Sequence, residues 1–235
     1  MSQKAQNKIL AVIPAYNEQD NIVSAVEDLK ENAPFVDYIV VDDGSTDATA
    51  AICARQGYRH LTLPINLGLA AAFQTGMKYA LREGYEYALQ FDADGQHSAA
   101  YIKDLITTAE RLDADIVIGS RFSDRKRPFS ARMAGSLLIT FMIKVTTGSR
   151  VADPTSGMRL FRGSMVRLFA QEFDYGPEPD TLALVLRNGA KVGETQVEMR
   201  ERIAGESYLN FTKSVSYMLR MSVSILFAQW FRRKR

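Results

Sequence analysis

Among 235 residues there is one cysteine, Cys53, and there are two histidines, His60 and His97. An intramolecular disulfide is therefore impossible, a Cys/His structural zinc site lacks its ligands, and a reducing cytosolic setting is the expectation. Charge of one sign is missing too. The 29 Lys and Arg stand against 27 Asp and Glu, a formal net charge of +2, which excludes a binder driven by bulk attraction to a polyanion and argues against nucleic acid as a partner. Long hydrophobic runs are scarce: the first, 9–13, is too short for a secretory core or a membrane span, so any chemistry is expected on the cytoplasmic side. Three glycine signatures are also absent. No G-x-G, no G-x-x-x-x-G-K-[ST] and no G-x-S-x-G occurs, which removes a dinucleotide-binding loop, a P-loop and a hydrolase nucleophile elbow. Phosphate, if bound, must be held by metal and side chains.

What is present is alternation. Short β-branched and apolar runs at 8–13, 38–42, 60–63, 87–91 and 116–118 read as strands, and the segments 20–32, 47–56, 69–82 and 99–112 carry helical period. That rhythm signals βαβ units, hence an α/β fold with a mostly parallel central sheet flanked by helices. Ser45-Thr46-Asp47 supplies capping chemistry before the second helix, and Gly57 and Gly84 sit where glycines end helices. Beyond Gly119 comes a basic stretch, 121–132, and an apolar helical run, 134–145. No linker or repeat separates the halves. We therefore expect one domain over 1–208, with a nucleotide-binding half of about 1–120 and an acceptor half of about 121–208, followed by an amphipathic helix and basic tail at 209–235.

In open parallel sheets, ligands bind beyond the carboxyl ends of the strands. Three predicted strands end in polar clusters: Pro14-Ala15-Tyr16-Asn17-Glu18, Asp42-Asp43-Gly44-Ser45 and Asp92-Ala93-Asp94-Gly95-Gln96. Carboxylates gathered on one rim repel unless a cation neutralises them, and Asp92, Asp94 and Gln96 offer hard oxygen ligands suited to Mg²⁺ or Mn²⁺. Blander roles compete at several positions. Pro14 can simply end a strand, Ser45 to Asp47 can cap a helix, Asn66 and Gly68 can shape a turn, His97 can pack or support the metal shell, and Arg125-Lys126-Arg127 can be a solvated loop.

Taken in order, the first cluster with Ile13, Val41-Asp42-Asp43-Gly44-Ser45-Thr46-Asp47, Asn66-Leu67-Gly68, Asp92-Ala93-Asp94-Gly95-Gln96-His97 and Gly119-Ser120-Arg121 resemble the family 2 glycosyltransferases with the GT-A fold. Asp153-Pro154-Thr155-Ser156-Gly157 and Arg202-Ile203-Ala204-Gly205-Glu206-Ser207 are similar to the dolichyl-phosphate mannose synthase branch and its bacterial polyprenyl-phosphate relatives. The resemblance spans 9–207. It implies that Pro14, Tyr16 and Glu18 line a nucleotide pocket with Asp42 or Asp43, that Asp94 and Gln96 bind the metal, and that Asp92 contacts the nucleotide or metal shell. It further implies that Arg202 reaches the diphosphate from a loop that closes over the donor, and that Arg121 and Arg132 meet an acceptor phosphate.

The implied reaction is inverting transfer of a hexose from a UDP- or GDP-sugar to a membrane polyprenyl phosphate. A phosphate oxygen is already anionic and needs only positioning by cations. A hydroxyl of a lipid-linked or protein-linked glycan would instead need a base, for which Glu178 and Asp180 are candidates. A catalytically silent nucleotide-binding subunit is a third reading. A sugar nucleotidyltransferase would need a glycine-rich phosphate loop that 14–18 does not supply. The Q-x-x-R-W motif of processive synthases is missing, and Tyr208 stands where the phosphate-acceptor branch often has lysine.

The chain also lacks the hydrophobic hairpins many bacterial relatives append. The stretch 217–231 is apolar but interrupted by Arg220, Ser222, Ser224 and Gln229, and Arg232-Arg233-Lys234-Arg235 follows it. Such a helix suits a membrane interface, a small membrane partner protein, a second subunit or the chain's own core. The expected location is thus peripheral, at the inner face of the cell membrane.

Overall fold

The computed structural model describes residues 8–124, 131–172, 176–200 and 211–231; within the helices at 131–147 and 211–231, side chains are described at 133, 135–147 and 216–227. The first half follows the sequence closely. Strands β1 (Ile9–Ala15), β2 (Asp37–Asp42), β3 (His60–Thr62), β4 (Tyr87–Gln90) and β5 (Ile116–Ser120) alternate with helices α1 (Ile22–Asn32), α2 (Thr49–Arg55), α3 (Leu69–Arg82) and α4 (Ile102–Leu112), the last entered through a 3-10 turn at Ala99–Tyr101. Gly57 and Gly84 have φ of +67° and +70°, the left-handed geometry that closes a helix and that glycine adopts without a Cβ penalty.

The second half adds α5 (Ala131–Thr147), β6 (Arg159–Arg162), α6 (Gly163–Gln171), α7 (Pro179–Arg187), β7 (Val192–Gln196) and α8 (Phe211–Phe231). Sequence reading marked α5 and part of α8 but not β6, α6, α7 or β7. Four-residue β6 runs into α6 with no intervening residue, which hides both. The seven strands form one sheet in the order β3-β2-β1-β4-β6-β5-β7. All pairings are parallel except those of β6, which is antiparallel to both β4 and β5. Because β6 and β7 join the sheet begun by β1, the two halves share one framework.

Alternation along the strands divides the core into two layers. Ile9, Ala11 and Ile13 of β1 face α1, α2 and α4, whereas Leu10 and Val12 face α3 and the later helices. Every residue of β1 is buried, as expected of a parallel strand covered on both sides. Pro14 lies inside this central strand, and the ladder shows why that is tolerated. Val12 O accepts the Phe91 N–H and Ala15 O accepts the Asp43 N–H. The donor that Pro14 lacks therefore faces the β4 side, where pairing has already ended at Gln90.

Helix α3 lies flush on β1 because it carries a glycine there. A Cβ built on Gly76 would come 2.1 Å from Val12 Cγ1. Gly76→Ala is expected to destabilise the protein by about 1–3 kcal/mol through overpacking, against a gain of up to about 1 kcal/mol in helix propensity. The urea midpoint reads the net loss, and adding Val12→Ala should recover part of it; a midpoint at or above wild type would refute this close packing.

Candidate active site

The strand order reverses direction between β1 and β4, which opens a crevice at their carboxyl ends. The loops after β1, β2 and β4 meet there. The first two are laced together by side chains: the Asn17 N–H donates to Ser45 Oγ (2.9 Å), Asn17 Oδ1 accepts from the Thr46 N–H (2.8 Å), and the Glu18 N–H donates to Thr49 Oγ1 (2.9 Å). Asn17 adopts φ of +55°, and the bonds its side chain makes to the facing loop oppose the cost of that conformation. Tyr16 is exposed, Pro14 is buried, and half-buried Glu18 accepts from Asn21 Nδ2 (2.8 Å).

The β2 carboxylates are buried and engaged. Asp42 Oδ1 accepts the Ser45 N–H (3.1 Å), while its Oδ2 is sealed from solvent without a described hydrogen-bond partner. Asp43 accepts the Leu67 N–H on Oδ1 (2.8 Å) and the Gly68 N–H on Oδ2 (2.7 Å). It thereby anchors the 66–68 turn. Gly44 makes that approach possible: it has φ of +67°, and a Cβ there would lie 2.6 Å from the Ile65 carbonyl carbon. The expectation that Asn66 and Gly68 shape a turn meets its structural cause in Asp43.

After β4, Asp92 is held from three sides. Gln90 Nε2 donates to its Oδ1 (2.9 Å), His97 Nε2 lies 3.6 Å from its Oδ2, and a Cβ on Gly157 would come within 2.2 Å of Oδ2. The Asp92 N–H donates to His97 Nδ1 (2.9 Å). Nδ1 can accept only when unprotonated, so the ring hydrogen sits on Nε2, toward the Asp92 carboxylate. Buried against Phe91 with ring centroids 5.5 Å apart, His97 supports Asp92 and has no nitrogen lone pair left for a metal. Asp94 is buried, and its Oδ1 accepts the Gln96 N–H (3.0 Å); Gln96 itself is half-buried.

Among the described residues no group of three or more His, Cys, Asp or Glu forms a metal cage. The donor set at Asp92, Asp94 and Gln96 is all hard oxygen, which fits Mg²⁺ or Mn²⁺ bound by one or two carboxylates with substrate phosphates completing the shell. It does not fit a closed zinc site.

Beside Asp92 lies a cavity of about 580 Å³. It is lined by Gln90, Asp92, the turn 155–157, Arg159 and Glu178, together with Tyr217 and Arg220 of α8. Arg159 is wholly buried. Its guanidinium donates to the carbonyls of Ser156 (2.9 Å), Pro154 (2.6 Å) and Pro177, so one side chain ties two walls together, and burial pulls its pKa below the usual value. Burial first, and then the Asp180 charge, lifts the Glu178 carboxyl above the ordinary range. Burial and the Glu178 charge push the Tyr217 phenol up to about 12. Asp180 faces elsewhere: its oxygens accept Ser224 Oγ (2.6 Å) and the Thr181 N–H (2.8 Å), joining α7 to α8.

Arg121 is committed to a partner. It donates from Nε and Nη2 to the two oxygens of fully buried Asp153 (2.7 and 2.8 Å), and from Nη2 also to Thr155 Oγ1 (3.2 Å). This fork steadies the 153–157 turn, which Glu194 holds from behind through the N–H groups of Ala152 and Asp153. Arg132 lies on α5 with its side chain outside the described residues, and Arg202, Tyr208 and 125–127 also fall outside them. The chain leaves the described region beside Gln96, whose carbonyl accepts the Arg200 N–H (2.9 Å).

In the sequence Arg159 and Tyr217 belong to no recognised motif, and Arg220 only interrupts an apolar stretch. A lone arginine opening the apolar run Arg159-Leu160-Phe161, and a polar pair three apart on one helix face, were the available signals.

The model for the family described as Glycosyl transferase family 2 matches residues 10–169. The chain is 28% identical over 219 residues to an undecaprenyl-phosphate mannosyltransferase of Micrococcus luteus, with 86% of this chain and 88% of that protein covered. It is likewise 28% identical over 218 residues to a UDP-N-acetylglucosamine–dolichyl-phosphate N-acetylglucosaminyltransferase of Methanococcus voltae, covering 83% and 86%. In fold it matches glucosyl-3-phosphoglycerate synthase of Mycobacterium tuberculosis in complex with Mn²⁺, UDP and phosphoglyceric acid, with a TM-score of 0.67 at 20% identity over 96% of this chain and 79% of that one.

Proposed function

The chain belongs to glycosyl transferase family 2, and on that premise we propose that it transfers a hexose from a UDP- or GDP-sugar to a polyprenyl phosphate, with inversion, at the cytoplasmic face of a membrane. The observation that carries this reading is the pairing of a carboxylate-lined crevice at the β1/β4 switch with a cavity lined by both Asp92 and Arg220. The donor belongs in the first and the acceptor in the second. Relatives named for polyprenyl or dolichyl phosphate support the acceptor class, and their differing sugars leave the hexose to experiment.

Pro14, Tyr16 and Glu18 frame the nucleotide beside loops that Asp42 and Asp43 hold in place, Asp92 and its supports fix the sugar-diphosphate end, and Arg202 answers the diphosphate charge. Asp94 and Gln96 would hold Mg²⁺ or Mn²⁺, which supplies charge stabilisation at the diphosphate. Transfer breaks the bond between the sugar C1 and the diphosphate oxygen, the electron pair leaving with that oxygen, while an acceptor phosphate oxygen bonds C1 from the opposite face. Arg220 and Arg132 position that phosphate. Arg121 acts one step back, by holding the turn that walls the cavity.

Glu178 fits an anionic acceptor, because a carboxyl that keeps its proton to higher pH repels phosphate less. The same shift would suit a general base for a hydroxyl acceptor, and the two are separable. With a phosphate nucleophile, Glu178→Gln should keep transfer within about tenfold of wild type; a required base would cost about 10²–10⁴-fold and remove the acidic limb of the pH profile.

The deciding assay incubates labelled UDP- and GDP-hexoses with Mg²⁺ or Mn²⁺, with and without polyprenyl phosphate, and extracts into organic solvent. Label in the lipid phase that depends on the acceptor is the expected result. Donor consumption with label only in water-soluble glycans would overturn it, and no donor consumption with any sugar would leave the silent-subunit reading.

A further inference from the structure

The loop after β4 is held from outside by two residues that lie far from it in sequence. Each residue from Gln96 to Ala99 gives a group to a partner beyond that segment. The Gln96 carbonyl accepts the Arg200 N–H (2.9 Å), His97 Nδ1 accepts the Asp92 N–H (2.9 Å), Ser98 Oγ accepts from Arg200 Nη2 (3.3 Å), and the Ala99 N–H donates to Asp28 Oδ2 (2.7 Å). The circuit closes on itself, because Arg200 Nη2 also lies 3.1 Å from Asp28 Oδ1. Asp28 belongs to α1 and Arg200 follows β7. Asp28 and Ala99 are 71 residues apart, and Ser98 and Arg200 are 102 apart.

Stability does not account for the arrangement. The Arg200 side chain is 49% exposed, and an ion pair so open to solvent is screened and adds little to the folded state. Asp28 is the fixed point. Its side chain is only 9% exposed, and besides the Ala99 N–H it accepts Asn32 Nδ2 (3.0 Å) from its own helix. What the pair governs is the position of the loop. Asp94 and Gln96 flank Gly95, which has φ of +76°, and the Gln96 N–H closes this turn on Asp94 Oδ1. A ligand on such a turn goes where its peptide goes. Mg²⁺ demands near-ideal octahedral geometry at about 2.0–2.1 Å, so a small drift of the Gln96 peptide removes an oxygen from reach.

We infer that Asp28 and Arg200 act as one positioning unit for the cation site. Asp28 fixes the far end of the 96–99 segment, Arg200 fixes the Gln96 peptide, and the ion pair between them sets the spacing. The inference rests on the proposed assignment of Asp94 and Gln96 to Mg²⁺ or Mn²⁺ and deepens it.

The test reads cation binding directly. The full chain is titrated into Mn²⁺ with UDP, and separately with GDP, while free Mn²⁺ is followed by its electron paramagnetic resonance signal against the same mixtures without protein. Arg200→Met keeps the stem and the backbone N–H but removes the guanidinium. It should weaken Mn²⁺ binding by about tenfold or more with the urea midpoint unchanged. Asp28→Asn keeps an acceptor for the Ala99 N–H, loses the charge that Arg200 faces, and should weaken binding to a similar degree. The double variant should match the more affected single variant, not the product of the two losses. Asp94→Asn is the reference for a lost ligand. If it abolishes binding while Arg200→Met and Asp28→Asn bind Mn²⁺ as wild type does, the positioning unit is overturned and the metal assignment stands. A wild type that binds no Mn²⁺ with either nucleotide overturns both. Multiplying losses in the double variant, or a urea midpoint that falls in step with binding, would also overturn the unit, by making the pair two separate contacts or a plain structural brace.

Discussion

Asp94→Asn is expected to lower kcat/KM for donor consumption by about 10²–10³-fold, the equivalent of roughly 3–4 kcal/mol of transition-state stabilisation. The substitution is chosen for what it keeps. Asparagine retains an oxygen to accept the Gln96 N–H that Asp94 Oδ1 now takes at 3.0 Å, so the loop after β4 holds its shape while the charge disappears. Chelation of divalent cations should abolish wild-type activity, and the Mn²⁺ concentration for half-maximal rate should rise in the variant, with an unchanged thermal midpoint. If Asp94→Asn leaves both the rate and the cation requirement as in wild type, the metal assignment fails.

Arg159→Met should be the most destabilising single change near the cavity. It strips donors from the carbonyls of Pro154, Ser156 and Pro177, and each buried carbonyl left unpaired costs about 1–3 kcal/mol. Removing the guanidinium also relieves the cost of burying a charge, visible in its lowered pKa. That relief is partial, because the three backbone acceptors stay where they are. A net loss of about 3 kcal/mol or more is expected from the urea midpoint. Arg159→Lys should recover only part of it, since an ammonium lacks the planar fork that reaches three carbonyls. A midpoint within about 1 kcal/mol of wild type would mean that water replaces the guanidinium, and the clamp would lose its significance.

How much was readable in advance differs between the two halves. The strands β1 to β5 and helices α1 to α4 were legible because each has a local period and its own stop signals, such as Gly57 and Gly84. The strand-end carboxylates were legible for the same reason, since position after a parallel strand fixes which edge of the sheet a residue occupies. Strand β6 was not. It is four residues long, antiparallel among parallel neighbours, and stabilised by Leu89, Val117 and Leu160 packing in one layer. No local pattern announces such a pairing.

Side-chain alliances were equally hidden. Arg121 resembled an acceptor contact, yet its partner Asp153 stands 32 residues away. Asp43, expected at a nucleotide, spends both oxygens on the 66–68 turn, and His97 turns its lone pair to the Asp92 backbone. From the sequence alone came the α/β alternation, the family resemblance and the acidic rim, because periodicity and short motifs are written in neighbouring residues. The cavity and the Arg159 clamp were decided only by the tertiary structure, because each is made by groups far apart in the chain that meet once the sheet has closed.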